Sequence, residues 1–517
     1  MLIVLGLGVA LLVLNTYAKW RLERVLTTQE HLTYEALRVN VLTGSVRFSS
    51  VQLEYPLDSV SSVKLRASGR LRRLSYWQYV WHNNWSIQAL TLDSLAVQWV
   101  PMDSSRHPIS PDTTADARPK FTIHQFRIKN GKLRTSPQLL RQAQVDSVFL
   151  SLSDLVYVPQ RDRITANWEA TDLAARSLSW SADGSSPTYT LAKLRLSPTQ
   201  KVQLTDLRVT PKKSKRTFAQ NLPHRKARIE LAVPAATLEA FALAQLVEEK
   251  TLSGARLLLA NSYLDVFVDK SRPDCTSCRK RYFYEILADL PLRLRVDTVN
   301  VTNGNIALSH LRPNEEQPGQ LDWSKIDAVI ANFSTVKTAA NTPTTAHIEG
   351  YFMDHSAVQV HFSFPFYNPA APYYFSGQLE LVNLAVINDF LVFAKRIRIA
   401  EGKLNHLRFE GSGDLRTATG EIALRYDDLR LSLLNEQRGE RKLASRLVNA
   451  VISRNNNPNQ RSQLKTGRLY AERQYHKSFF SNWWFTLQSG IQSSVLPNLL
   501  LPKELDGKKE QLKNTDQ

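Results

Sequence analysis

Phe121 to Leu133 reads FTIHQFRIKNGKL, and the phrase recurs: Leu294 to Leu308 is LRVDTVNVTNGNIAL, Ile397 to Phe409 is IRIAEGKLNHLRF, and Val39 to Leu53, VNVLTGSVRFSSVQL, is a looser relative. Each alternates apolar and polar residues, meets Asn-Gly or a lone Gly, and alternates again. A period of two sends successive side chains to opposite faces of a strand. Asn-Gly accepts the positive φ of a tight turn, so Asn130-Gly131 and Asn303-Gly304 predict strand-turn-strand hairpins.

Outward from these phrases the same alternation fills Ala89–Val100, Ala143–Val158, Thr188–Val209, Ala255–Val268, Val358–Phe366 and Gly420–Leu434. Short strands at regular spacing suit a sandwich, a barrel or a solenoid. The chain has 517 residues, more than one compact core organises, whereas a sheet that grows by adding strands meets no such limit. The predicted fold is mainly β: an elongated, curved, taco-like β-sheet groove with an N-terminal transmembrane helix and a few capping helices.

Strand parity names the residues of one face. Val358, Val360, Phe362, Phe364 and Phe366 lie opposite Gln359, His361 and Ser363, and Ile422, Leu424 and Tyr426 lie opposite Glu421, Ala423 and Arg425. Two readings of this oily face stand open. It is the core of a sheet packed on itself, or it lines a trough for acyl chains, where each buried methylene contributes about 0.8 kcal/mol. The eight residues are the lipid-groove candidates of the second reading.

Three segments leave the β pattern. Pro234 to Glu249 consists of helix formers behind a proline and predicts a helix. Lys442 to Ser453 spaces Leu443, Leu447, Val448 and Val451 helically, ahead of an Asn-rich loop from Asn455 to Gln460. Ser478 to Leu496 predicts a helix carrying Phe479, Phe480, Trp483, Trp484 and Phe485, which either caps the sheet or touches a membrane or partner. Beyond Leu501 the charged tail is expected to be disordered.

Met1 to Ala18 contains no charged side chain, is about as long as a membrane span, and is followed by Lys19, Trp20, Arg21 and Arg24. A secretory signal would carry a basic start and a small-residue cleavage site, so an uncleaved anchor over residues 1–20 is expected. Trp20 joins the aromatic residues of 479–485 as a membrane-interface candidate.

Lys and Arg number 66 against 47 Asp and Glu, a net charge of +19 that favours anionic surfaces. The basic residues are interspersed, and no zinc-finger spacing or RNP-type motif occurs, so no nucleic-acid partner is expected. The eleven histidines form no His-Glu-x-x-His, and there is no Walker loop or Gly-x-Ser-x-Gly elbow. No catalytic residue, metal or cofactor is expected. His347, His355 and His361 read as strand and loop histidines, and Asp427-Asp428 as a turn or bulge.

Glu401 to Leu434, EGKLNHLRFEGSGDLRTATGEIALRYDDLRLSLL, and Leu464 to Val495, LKTGRLYAERQYHKSFFSNWWFTLQSGIQSSV, together with the strand-Gly-strand phrases, resemble the C-terminal part of AsmA-like bacterial envelope proteins, relatives of the TamB-like repeating β-groove proteins. The resemblance implies a single-pass inner-membrane protein with its body in the periplasm, binding or transferring phospholipids in support of outer-membrane assembly. Its implied partners are phospholipids, the inner membrane and an outer-membrane or envelope protein. The body is short for a complete bridge between membranes, since about 25 strands at ~4.8 Å reach ~120 Å. The competing expectation is a non-enzymatic structural or regulatory scaffold. Cys275 and Cys278 stand alone as a Cys-x-x-Cys, open to a redox pair, half a zinc site, free thiols or a local disulfide, and an oxidising periplasm favours the disulfide. The expected divisions are the anchor at 1–20, β-repeats at 21–210, a β region with inserted helix and Cys-x-x-Cys loop at 211–290, the AsmA-like β region at 291–440, an aromatic cap at 441–501 and the tail at 502–517.

Overall fold

A computed structural model describes Thr16 and residues 32–40, 43–56, 61–75, 84–101, 120–136, 141–158, 163–183, 186–336, 342–458 and 464–496. Apart from Thr16, the expected anchor with Trp20 lies outside these residues, as does the expected tail. Among the described residues strand accounts for 63% and helix for 13%, so the chain is mainly β, with 21 described strands. Among the described residues no helix is long and apolar enough to cross a membrane.

The chain divides into two compact units, one of residues 1–212 with 239–244, the other of residues 213–238 with 245–517. The first holds β1 (Leu32–Thr33), β2 (Ala36–Asn40), β3 (Ser45–Pro56), β4 (Ser61–Ser75), β5 (Asn84–Pro101), β6 (Lys120–Thr135), β7 (Gln142–Val158), β8 (Arg163–Ser181), β9 (Thr188–Ser197) and β10 (Lys201–Thr210). β1 and β2 both pair with β3, and from β3 each strand pairs antiparallel with the next, except that β5 and β6 run parallel.

The second unit holds β11 (Ala227–Glu239), β12 (Thr251–Ala260), β13 (Tyr263–Asp269), β14 (Arg293–Leu311), β15 (Gly319–Ser334), β16 (Thr344–Phe352), β17 (Ser356–Phe364), β18 (Tyr373–Asn383), β19 (Ile397–Gly413), β20 (Thr417–Leu433) and β21 (Thr466–Glu472). β11 pairs antiparallel with β13, and β12 and β13 run parallel to successive halves of β14. From β14 to β21 the ladder is antiparallel throughout. Among the described residues the α-helices of four residues or more are α1 (Leu243–Glu249), α2 (Phe283–Ala288), α3 (Asn388–Lys395), α4 (Lys442–Val451) and α5 (Phe479–Val495), with a 3-10 turn at Leu384–Ile387.

The Asn-Gly phrases do not turn the chain. β6 runs through Asn130-Gly131, β14 through Asn303-Gly304 and β19 through Gly402. At each place the register against the next strand shifts, between Ile128 and Leu133, between Val301 and Ile306, and between Ile399 and Lys403. Asn303 takes φ +52° and its N–H donates to Asp327 Oδ1 at 3.0 Å. A β-bulge accepts the same left-handed or glycine residue that a tight turn needs. What separates them is the neighbour: β5 continues beside β6 on both sides of the bulge, pairing Leu92 with Ile128 and Val97 with Leu133. The true hairpin is the looser phrase, where Gly44 at φ +58° joins β2 to β3. Asp427-Asp428 is a bulge, with Asp428 at φ +54°.

Two further expectations are corrected. Residues 188–209 and 255–268 each form two strands, broken at Gln200 and Asn261, both in the left-handed region. Most of Pro234–Glu249 is not helical. β11 extends to Glu239 with Val233, Ala236 and Leu238 buried, and only Leu243–Glu249 coils. Pairing of Ala227–Ala232 with β13 draws the following residues into the strand, a case of sheet context overriding helix propensity. The helices expected near 442–453 and 478–496 form as α4 and α5.

Candidate functional site

The register of the first unit assembles apolar residues from separate strands into rows. One runs Phe48, Gly69, Leu92, Ile128, Leu150, Leu173, Leu196, Val202; a second runs Leu53, Leu65, Val97, Leu133, Val145, Leu178, Leu191, Leu207. Each crosses eight strands, so at about 4.8 Å per strand each is roughly 34 Å long. All of the second row is half-buried. The other face beside it is polar: Glu54, Lys64, Gln98, Arg134, Gln144, Ser179, Thr190 and Arg208 follow the same registers. Among the described residues, the main helix-on-strand packing falls on β14, β15 and β19–β21 of the second unit, and within the first row Ile128 and Leu196 are buried.

The second unit repeats the device and closes it. Ile330, Ala346, Phe362, Phe375, Gly411, Gly420 and Leu469 form one row from β15 to β21. α5 lies on it, with Trp483 5.3 Å from the Phe362 ring and Phe479 5.4 Å from Phe364. Gly467 and Gly490 allow this approach, because a Cβ on the first would strike the Gly490 carbonyl and a Cβ on the second the side chains of Ile422 and Leu469. Phe362, Phe364, Phe366, Ile422, Leu424 and Tyr426 are buried here, and Val358 and Val360 are half-buried. Phe366 lies past the end of β17 yet rejoins the cluster against Phe364 and Phe283, and Tyr426 donates its hydroxyl to the Ser453 carbonyl at 3.0 Å. Phe362, Phe364 and Ile422 pack against α5, and all eight candidates except Val358 join one core cluster. On α5 itself Phe479 is buried, Trp483 and Phe485 are half-buried, and Phe480 and Trp484 are 58% and 46% exposed.

A polar tie fastens this cap. The Arg473 guanidinium, almost wholly buried, donates to Glu285 Oε2 at 2.8 Å and to the Lys280 carbonyl at 2.9 Å, and lies 3.8 Å from the centre of the Tyr282 ring. Burial pushes the Tyr282 hydroxyl up to about 12. Upstream, Cys275 and Cys278 are joined as a disulfide, and the adjacent Asp274 pairs with Lys477 and with Arg225 at 3.0 Å. Lysine and arginine crowd this region: burial first, then the charges of Lys395, Arg225, Lys477 and Arg312, bring Lys270 down to about 8.

The edge of the sheet at β20 and β21 is closed by helix side chains and by the loop after α4, where Asn456 exchanges backbone bonds with Tyr426 and the Arg454 carbonyl accepts the Leu429 N–H at 2.8 Å. Ser493 and Ser489 of α5 accept the N–H groups of Arg468 and Tyr470 at 2.8 and 2.9 Å. Ser445 and Asn449 of α4 accept those of Leu433 and Leu431 at 3.0 and 2.9 Å. Sequence reasoning found α4 but not its orientation, because the spacing of Leu443, Leu447 and Val451 gives a face without saying which way it points. His347 and His361 are cross-strand neighbours 3.0 Å apart, with Glu349 2.9 Å from His347, and His355 stands apart from them at a turn. Among the described residues no cluster of His, Cys, Asp and Glu is disposed to hold a metal.

Neither the scan against protein-family models nor the search of curated proteins returns a match for this chain.

Proposed function

We propose that this chain is an AsmA-like envelope protein, held in the bacterial inner membrane by its first twenty residues with its body in the periplasm, that binds and transfers phospholipids along an apolar β trough. The observation that carries the reading is the pair of eight-strand apolar rows of the first unit. A half-buried strip roughly 34 Å long, backed by a polar face, offers an acyl chain a continuous apolar path, and each methylene withdrawn from water would contribute about 0.8 kcal/mol before ordering costs. On this reading the trough lies in the first unit, since α5 packs on the apolar row of the second. A disulfide at Cys275–Cys278 suits an oxidising compartment.

The scaffold reading, in which an envelope protein adds to a free strand edge, fits β20 and β21 less well, since α4 and α5 already satisfy the backbone groups such a partner would need. To test the lipid reading, photocrosslinkers are placed at Leu133 and Leu178 on the apolar rows and at Gln144 and Ser179 on the opposite face, in the full chain within bacterial envelopes. Phospholipid adducts at the first pair and not the second support a trough. Protein adducts, or no lipid adduct at either pair, would replace it with the scaffold.

A further inference from the structure

α4 is built inside out. A surface helix ordinarily turns its apolar stripe to the core and its polar face to water. Here Ser445, 3% exposed, and Asn449 face the sheet and bond to β20, while Leu443, Leu447 and Val451, four residues apart and so on one face, are 77%, 70% and 39% exposed. The inversion has a local cause. β21 pairs only with Thr417–Ala423 of β20; the loop after α4 takes the N–H groups of Tyr426, Asp428 and Leu429, and α4 takes those of Leu431 and Leu433 with an amide and a hydroxyl, which requires its polar side to be inward.

The stripe's own segment is basic, although Glu440 borders it and Arg454 within it pairs with Glu401 and Asp428. From Arg441 to Ala471 the sequence holds seven basic residues and no acidic one. Arg441, Lys442 and Arg446 are exposed, Lys442 and Arg446 immediately precede Leu443 and Leu447, and none of the three forms an ion pair with a described residue.

We propose that α4 docks on an anionic lipid bilayer: Leu443, Leu447 and Val451 enter the boundary between headgroups and acyl chains, and Arg441, Lys442 and Arg446 meet the lipid phosphates. Exposed leucines flanked by cations are what an interfacial helix needs, hydrophobic insertion and electrostatic attraction together. A second copy of the chain is the poorer occupant, because two copies of this face would bring like charges together. The site lies in the second unit, apart from the apolar rows, so it stands whether or not those rows carry lipid.

The test uses the full chain reconstituted in liposomes, with Leu447→Cys carrying an environment-sensitive fluorophore and a quencher attached high on the acyl chains. Phosphatidylglycerol-containing liposomes are compared with pure phosphatidylcholine. The expected result is a blue shift with at least roughly two-fold quenching on the anionic liposomes, weakened by salt and by zwitterionic lipid. Adding Leu443→Asp and Val451→Asp removes that quenching, and because both side chains face solvent the melting temperature of the protein stays in place. A label equally water-exposed on both liposomes overturns the proposal and leaves the stripe to a protein partner. A blue shift that follows protein concentration irrespective of lipid charge also overturns it, in favour of a second copy.

Discussion

Asn449 brackets Leu431: its amide oxygen accepts the Leu431 N–H at 2.9 Å and its amide nitrogen donates to the Leu431 carbonyl at 2.7 Å. One side chain thus does for a strand what a neighbouring strand would do. Asn449→Leu leaves both groups unpaired in a half-buried setting, and unfolding free energy should fall by about 1–3 kcal/mol. Denaturant titration of the second unit's transition measures this. Asn449→Asp, which keeps the acceptor and loses the donor, should fall between the wild type and Asn449→Leu.

The buried pair of Arg473 and Glu285 gives a non-additive prediction. Removing one partner, as in Arg473→Met or Glu285→Gln, strands the other and should cost about 3–5 kcal/mol, while the double variant should cost less than the sum. A double-mutant cycle on chemical denaturation reads the coupling directly.

Charged residues at the two oily faces should behave differently. Phe364 is 5% exposed and packed among Tyr284, Phe283, Phe366, Tyr373 and Phe479. Phe362→Glu or Phe364→Asp should therefore unfold the second unit, and Phe364→Ala alone should cost about 3–5 kcal/mol. Leu133→Glu and Leu178→Glu sit in half-buried rows and should leave a folded chain with phospholipid loading lost. Circular dichroism and mass spectrometry of co-purifying lipid separate the outcomes.

Burial, followed by the positive charges of Lys270, Lys395 and Arg225, brings His310 down to about 3 from an ordinary 6.5, with the Phe390 ring 5.3 Å away. Between these values the unfolded chain binds a proton that the folded chain refuses. Stability is therefore greatest above pH 6.5 and declines as pH falls toward 3, by up to about 1.4 kcal/mol per pH unit from this residue. His310→Gln should flatten the slope in a series of melts across that window.

Much of the architecture was legible because alternation with period two is a local signal. Val358 to Phe364 and Ile422 to Tyr426 each show their parity without help from the rest of the chain. Register is not local. Asn130-Gly131 looks the same whether it turns a hairpin or bulges a long strand, and only the continuation of β5 beside β6 decides. The same limit hid the rows of the first unit, since Leu133, Val145, Leu178 and Leu191 become neighbours through pairings no single segment encodes. α4 shows a further limit: periodicity gives Leu443, Leu447 and Val451 a common face, but the polar demand of β20 turns that face outward.

The serines and asparagine that α4 and α5 offer to β20 and β21 act like the end group that stops a growing polymer. Strand-rich chains share a common hazard, templated addition of another molecule's strand at an open edge. At this edge the next strand would have to displace the hydroxyls of Ser445, Ser489 and Ser493 and the amide of Asn449 before making its first bond. Truncation before α4 would remove β21 and α5 as well and bare the whole length of β20, turning a self-limiting sheet into one open to templated addition.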